Sequence, residues 1–474
     1  MDGDGRRWTE WTWWTRWTRW DGGDVIDLID LIDGGCGGNG VGNRVRGVAG
    51  VGVLREGEGG NFLRKHMRSI HRRLVLRGLA LLGCGVAGGV RGEDAGGAKG
   101  RLQVYVLAGQ SNMQGHAQVR TFEHIGMDPA TMPMLAKMTG ADGKPKVCER
   151  VWIASLGSAE AEQTGKLTAG YGAAQGGPKI GPEFTFGLYM EELTEAPILL
   201  IKTAWGGKSL NTDFRPPGSG PYPFSEAQLE GFRKAGKDVE AMRAAKAAET
   251  GVNYRLMVEY VRKVLADIGK VVPGYDAERG YDLAGFVWFQ GWNDMVDSGT
   301  YPRRDEPGGY DAYGTVLAQF IRDVRKDLKS PGLPFVIGVM GIGGPTSEYG
   351  AEKARYKGVH QHFRDAMAAP AALTEFAGNV AAVRTEVYWD KELSAAKAKE
   401  QMVRGEAKRR GAAGEKVDVE ALLKEKLSER ERAILQKGIS NLEFHYLGSA
   451  KILGGVGKGL AEAMVRLRSG GEAK

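Results

Sequence analysis

The sequence predicts an α/β protein: a three-layer α/β/α sandwich around a mostly parallel central sheet, with a charged helical insertion near the C-terminus. Two observations carry this. Between Arg101 and about Arg468, apolar runs of strand length alternate with segments of helical periodicity. Each apolar run ends in glycine or polar residues, as parallel strands do when they open into loops at their carboxyl ends.

Residues 1–66 stand outside that pattern. "RRWTEWTWWTRWTRW" places six of the eleven tryptophans before position 21, and "DVIDLIDLIDGG" follows. Repetition of such short period fits no packed core, so this stretch reads either as spurious translation ahead of the true start or as a low-complexity extension. From Met67 the order changes. Arg68, Arg72, Arg73 and Arg77 precede an apolar, small-residue run from Gly78 to Val90. This is the layout of a secretory signal peptide over 67–92, too short to span a bilayer. The expectation is an exported protein, periplasmic or extracellular, with no stable membrane span. "LLGC" at 81–84 also resembles a lipoprotein attachment box with Cys84 lipidated, which ranks second because the apolar run before it is so short.

The elements of the main domain, 101–470, follow in order. "RLQVYVLAG" (101–109), "APILLIKTAWGG" (196–207), "LAGFVWFQGWND" (283–294) and "LPFVIGVMGIGG" (333–344) read as strands with their exit loops. "FTFGLYMEEL", "VEYVRKVLADI" and "VLAQFIRDVRKDL" read as the helices between them. A Pro- and Gly-rich loop at 213–228 is placed to line a substrate entrance. Residues 391–437, rich in Ala, Lys, Glu and Arg, predict two charged helices joined by a Gly-containing turn.

Composition excludes several classes. A net charge of +7 over 474 residues is too dilute for a nucleic-acid footprint. Of the three cysteines, Cys36 and Cys84 precede the main domain and only Cys148 lies in it, so neither a disulfide framework nor a Cys-based metal site is available.

Four loops carry candidate chemistry. Ser111, in "GQSN", follows the first apolar run, with Gly109 and Gly115 permitting close backbone approach. Position 113 is Met113, so the two-sided glycine elbow of α/β-hydrolases is absent. Gly206 and Gly207 form a turn able to present a backbone amide. Gln290 and Asn293 supply side-chain amides suited to a developing oxyanion. Among the histidines, His66 and His71 precede the main domain, and His116 and His124 follow the serine too closely to be obvious bases. His360 and His362 form an i, i+2 pair that diverges on a helix. His445 stands in a polar loop before an amphipathic C-terminal helix.

Together the four blocks resemble the SGNH hydrolases, in their sialate O-acetylesterase-like carbohydrate esterase branch. "VLAGQSNMQG" is similar to that family's nucleophile block, "IKTAWGGKSL" to its second and "VWFQGWNDM" to its third, over roughly Arg101 to Arg468. The resemblance implies Ser111 as nucleophile and His445 as general base. Gly206 or Gly207, with Gln290 or Asn293, would form the oxyanion hole, and Gln110, Asn112 and Trp292 would face the substrate, an acetylated carbohydrate. It implies no metal and no cofactor. Two departures affect the acid that would orient His445. Trp292 replaces the family's usual Glu, and Leu442 stands where the superfamily has Asp three residues before the histidine. Glu443 and Asp294 are the substitutes, with Glu443 preferred. The competing reading is a catalytically weak carbohydrate-binding protein, with Trp292 stacking on a sugar; acetate release separates the two. A lipase or thioesterase would need a long apolar groove that these polar loops do not suggest.

Overall fold

The computed structural model describes residues 100–470, so the Trp-rich stretch, the signal-like segment and the Cys84 box lie outside the described residues. In chain order the strands are β1 (Leu102–Gly109), β2 (Ala117–Gln118), β3 (Val151–Leu156), β4 (Gln163–Lys166), β5 (Lys179–Ile180), β6 (Ile198–Ala204), β7 (Tyr281–Phe289), β8 (Phe335–Val339) and β9 (Val380–Arg384). Seven of them form one sheet in the order β4-β3-β6-β1-β7-β8-β9, while β2 and β5 make a separate antiparallel ribbon. All pairings in the large sheet are parallel except that of the edge strand β4 with β3. Every residue of β1 and β6 is buried, whichever way its side chain points. Only a sheet covered on both faces gives that pattern, which is why these strands read as continuous apolar runs.

The helices Pro182–Leu193 and Ala450–Arg468 pack together, and the second also reaches β8 and β9. Among the described residues no helix is long and apolar enough to cross a membrane.

The insertion differs from its expected form. It contains three helices, Lys391–Ala412, Val419–Lys426 and Glu429–Gly438, not two. The extra break falls at Leu427–Ser428, where Ser428 and Glu431 form a reciprocal capping box that starts the last helix afresh. Val403, Ala407, Leu422, Leu423 and Leu427 give these helices a small core of their own. Asp390 caps the first helix, accepting from Leu393 N at 3.0 Å, and also holds His124 Nε2 at 2.8 Å and Lys451 Nζ at 3.0 Å. Burial alone would raise this carboxyl, but those donors outweigh it and hold it below the ordinary carboxylate range.

Register positions the site. Gly109 at the end of β1 pairs with Ala204 of β6 on one side and Phe289 of β7 on the other. The loops beginning at Gln110, Trp205 and Gln290 therefore leave the sheet side by side at its carboxyl edge. This is also where the chain changes direction across the sheet, since β3 and β6 lie on one side of β1 and β7 to β9 on the other. Gly109 has no alternative there, because a Cβ would sit 2.1 Å from Phe289 O.

Candidate active site

Ser111 is the first residue of a single helical turn, Ser111–Gln114, that β1 feeds directly. The turn ends at Gly115, whose φ of 88° and 2.0 Å clearance between a would-be Cβ and Gly181 Cα demand glycine. Beneath the turn lies a wholly buried ion pair. Lys202 Nζ lies 2.8 Å from Glu183 Oε2 and also donates to the carbonyls of Gln114 and Tyr171. Burial lowers the Lys202 pKa, and the Glu183 carboxylate opposes that shift. Ser111 itself is 8% exposed. Its Oγ has no protein partner among the described residues and is not sealed from solvent.

A network of side-chain amides fixes the neighbouring loop. Gln110 Oε1 accepts from Gly291 N at 3.0 Å and from Gln290 Nε2 at 3.1 Å. A backbone N–H can only donate, so that atom of Gln110 is its oxygen. Its Nε2 must then be the atom 2.8 Å from Asn293, which makes the Asn293 atom Oδ1 and leaves Nδ2 as the free end. Gln290 is committed inward. Its Nε2 donates to Gln110 Oε1, Lys208 O and Asp294 Oδ2, while its Oε1 accepts from Tyr313 at 3.0 Å. Of the two amides expected at the oxyanion hole, the structure thus leaves a donor on Asn293 and none on Gln290. Gln110 is 1% exposed and is spent as the link between loops rather than facing substrate; Asn112 is 5% exposed, and its side-chain amide has no protein partner among the described residues and is not sealed from solvent.

Asp294 does not reach His445. Its carboxylate accepts from Leu210 N at 2.7 Å, Asn211 N at 3.0 Å and Gln290 Nε2, fastening the loop after β6 to the one after β7. Burial raises its pKa to about 7 although those donors pull the other way. Trp205, Gly206 and Gly207 head the fastened loop. Gly206 is half-buried, Gly207 is exposed with a φ of 70°, and neither N–H has a protein acceptor among the described residues.

His445 lies in the loop Glu443–Gly448, which packs against the Ser111 turn. Its Nδ1 is 2.9 Å from Asn441 Oδ1. That contact depends on an unusual backbone: Tyr446 (φ 54°), Leu447 (φ 59°) and Gly448 (φ 57°) form a left-handed run that costs non-glycine residues about 1–2 kcal/mol each. Tyr446 anchors it, its hydroxyl accepting from Gly341 N at 2.8 Å and bonding Thr385 Oγ1 at 2.9 Å. Leu447 O then accepts from the N–H groups of both Ser440 and Asn441. Strain held this firmly beside a candidate base is a mark of function.

Glu443, the preferred acid, points elsewhere and pairs with Lys353 Nζ at 2.8 Å. In a straight strand i and i+2 would share a face, but here the chain curls through the left-handed turn and brings residue 441 beneath the ring instead. Glu443→Gln is accordingly expected to change acetate release by less than about threefold. An orienting acid of a triad would cost on the order of 10⁴, so steady-state kinetics of this one variant separates the roles.

His116 has a place that its closeness in sequence to Ser111 concealed. Its ring stacks on that of His445 with centroids 3.8 Å apart and planes 2° from parallel. Burial, the His116 ring and Lys179 lower the His445 pKa to about 2, and burial with Lys179 and Lys202 lowers that of His116 to about 4. Both shifts favour the neutral form of each ring. Ser111 Oγ and His445 Nε2 are not hydrogen-bonded to each other here, a common condition of catalytic pairs before substrate tightens the site. Trp292 is half-buried, one side covered by Phe444 with ring centroids 5.5 Å apart. Asn441 was the residue sequence reasoning missed; its only signal was a polar Ser-Asn pair shortly before the histidine.

Residues 101–378 match the family model described as "Carbohydrate esterase, sialic acid-specific acetylesterase". No curated protein matches. Similar solved structures include a protein of Arabidopsis thaliana, at 17% identity over 60% of this chain and 85% of that one, with a TM-score of 0.31. A carbohydrate acetylesterase from Xanthomonas citri matches at 15% identity over 60% of this chain, with a TM-score of 0.32, and the match spans 50% of that protein's length. NanS matches at 14% identity over 60% and 77% of the two chains, with a TM-score of 0.34.

Proposed function

Because the chain belongs to the sialic acid-specific acetylesterase family of carbohydrate esterases, we propose that it releases acetate from O-acetylated sugars by a serine–histidine mechanism. Ser111 Oγ attacks the acetyl carbonyl carbon while its proton passes to His445 Nε2. The carbonyl oxygen gains the negative charge and takes hydrogen bonds from Asn293 Nδ2 and the Gly206 or Gly207 amide. Collapse breaks the bond to the sugar oxygen, which leaves with the proton from His445. Water, deprotonated by the same nitrogen, then attacks the acetyl-serine and releases acetate.

The observation that carries this reading is the orientation of Asn293. Three polar contacts around Gln110 turn its donor end out of the network, on the loop that leaves the sheet beside Ser111. The orienting group for His445 is Asn441, so the set is Ser-His-Asn rather than Ser-His-Asp, comparable in kind to the Cys-His-Asn arrangement of papain-like proteases. Export is part of the proposal and rests on the Arg-rich and apolar order of residues 67–92 alone. A purely sugar-binding role would use the face of Trp292 opposite Phe444, and acetate release separates it from the esterase reading.

The deciding experiment incubates the full chain with a chromogenic acetyl ester, an O-acetylated sialic acid and an acetylated xylo-oligosaccharide. Acetate is expected from the chromogenic ester and from at least one sugar. Retained sugar affinity with no acetate above a Ser111→Ala control would establish the binding role instead.

A further inference from the structure

The loop after the nucleophile and the loop carrying the base are knitted into one unit. Ser440 Oγ accepts from Gln118 N at 3.0 Å and donates toward His116 O at 3.1 Å and Gly448 O at 2.7 Å. At the centre of this unit one amide bridges the Nδ1 edges of two stacked imidazoles. Leu442 N lies 2.8 Å from one terminal atom of Asn441, and since a backbone N–H only donates, that atom is Oδ1. His445 Nδ1, 2.9 Å from the same oxygen, must carry its proton there, which leaves Nε2 as a bare lone pair. The other end, Nδ2, is a donor, so His116 Nδ1 at 3.4 Å is an acceptor and its proton sits on Nε2, which is buried with no protein partner among the described residues.

We propose that His116 is a positioning residue for the reaction: stacked on His445 and sharing the Asn441 amide with it, it keeps His445 a neutral base whose Nε2 is open to the proton of Ser111. The inference rests on the serine–histidine reading above. A carboxylate would orient His445 too, but would also draw a proton onto the ring at rest. The amide orients without doing so. His116 covers the ring face that water would otherwise solvate. Protonating His116 would set its Nδ1–H against the Asn441 Nδ2–H, donor to donor, beside the second ring. The charged groups facing the pair reinforce neutrality: Lys179 from β5 and Lys202 from β6 are cations, while Glu183 is paired with Lys202 and Glu443 with Lys353. Among the described residues no carboxylate is hydrogen-bonded to either ring.

The consequence is an esterase whose base stays competent well below the ordinary imidazole pKa of about 6.5. The test is the pH profile of kcat/KM for the full chain, wild type against His116→Ala, with Ser111→Ala and His445→Ala as references. Wild type should hold its activity to below about pH 5. His116→Ala, which lets water onto the His445 ring, should raise the acid limb by about one pH unit or more. Its kcat should fall about tenfold with KM little changed, since the ring loses its fixed orientation. Unchanged kcat and an unchanged acid limb in a folded His116→Ala protein would overturn the proposal. Should that variant fail to fold, long-range ¹H–¹⁵N spectra of wild type decide: one neutral Nδ1–H and one neutral Nε2–H histidine are expected down to about pH 5. Either ring titrating near the ordinary value of about 6.5 would overturn it. Activity surviving in Ser111→Ala or His445→Ala would instead remove the underlying serine–histidine reading.

Discussion

Ser111→Ala and His445→Ala should each lower acetate release by about 10⁴–10⁶-fold while leaving the folded protein in hand. The size follows from shared labour: without the nucleophile the base has nothing to deprotonate, and without the base the hydroxyl stays protonated. For that reason the double variant should be no worse than either single one. Folding should survive both changes. Ser111 Oγ has no protein partner among the described residues, and the Ser111 turn is held by backbone bonds to Gln110 O and Ser111 O and by Lys202 beneath. His445 is held by its backbone, with N donating to Leu442 O at 3.0 Å, and its loop is closed by Leu447 and Tyr446. A stopped acetate assay on protein with an unchanged urea midpoint checks both points. A loss under tenfold in either variant would remove that residue from the chemistry.

Asn293→Ala should lower kcat by about 10²–10³-fold with a modest change in KM, the usual cost of deleting one oxyanion donor. The donor acts on charge that appears only in the transition state, so binding of the neutral ester is little affected. The variant also leaves Gln110 Nε2 without the Asn293 acceptor, so a small fall in stability accompanies the kinetic loss. Gln290→Ala is the contrasting case. Gln290 is 2% exposed and bonded to Gln110, Lys208, Asp294 and Tyr313, so its removal should appear first as destabilisation in urea. A kcat loss of 10² or more in a Gln290→Ala protein of wild-type stability would exchange the roles of the two amides.

Much of the fold was legible because its signals are local. A strand buried on both faces is apolar over most of its length, and β1, β6, β8 and the second half of β7 are, with Lys202 of β6 the charged exception. The turn at Gly115 must be glycine. Among the strands not read from the sequence, β4, the antiparallel edge, alternates half-buried and exposed, β9 is mostly half-buried, and β2 and β5 are two residues each; β3, buried over its first five residues, carried the same local signal and was missed all the same. In the insertion, the Ser428–Glu431 capping box was present in the sequence yet lost within a uniformly charged run.

The site divides along the same line. Sequence by itself determined the family resemblance and offered Ser111 and His445 as candidates on their loops, because these follow directly from strand ends and short motifs. Only the tertiary structure decided which polar side chains face outward and which are spent inside. Gln290 and Asn293 are three residues apart with the same functional group, and their difference lies in Gln110, 180 and 183 positions away along the chain. Likewise the partner of His445 is Asn441 and not Glu443, because a left-handed run through Tyr446 and Leu447 curls the backbone where neither residue type announces it. Hydrogen-bond direction is settled by the donors that converge on an atom, and that convergence exists only once the chain is folded.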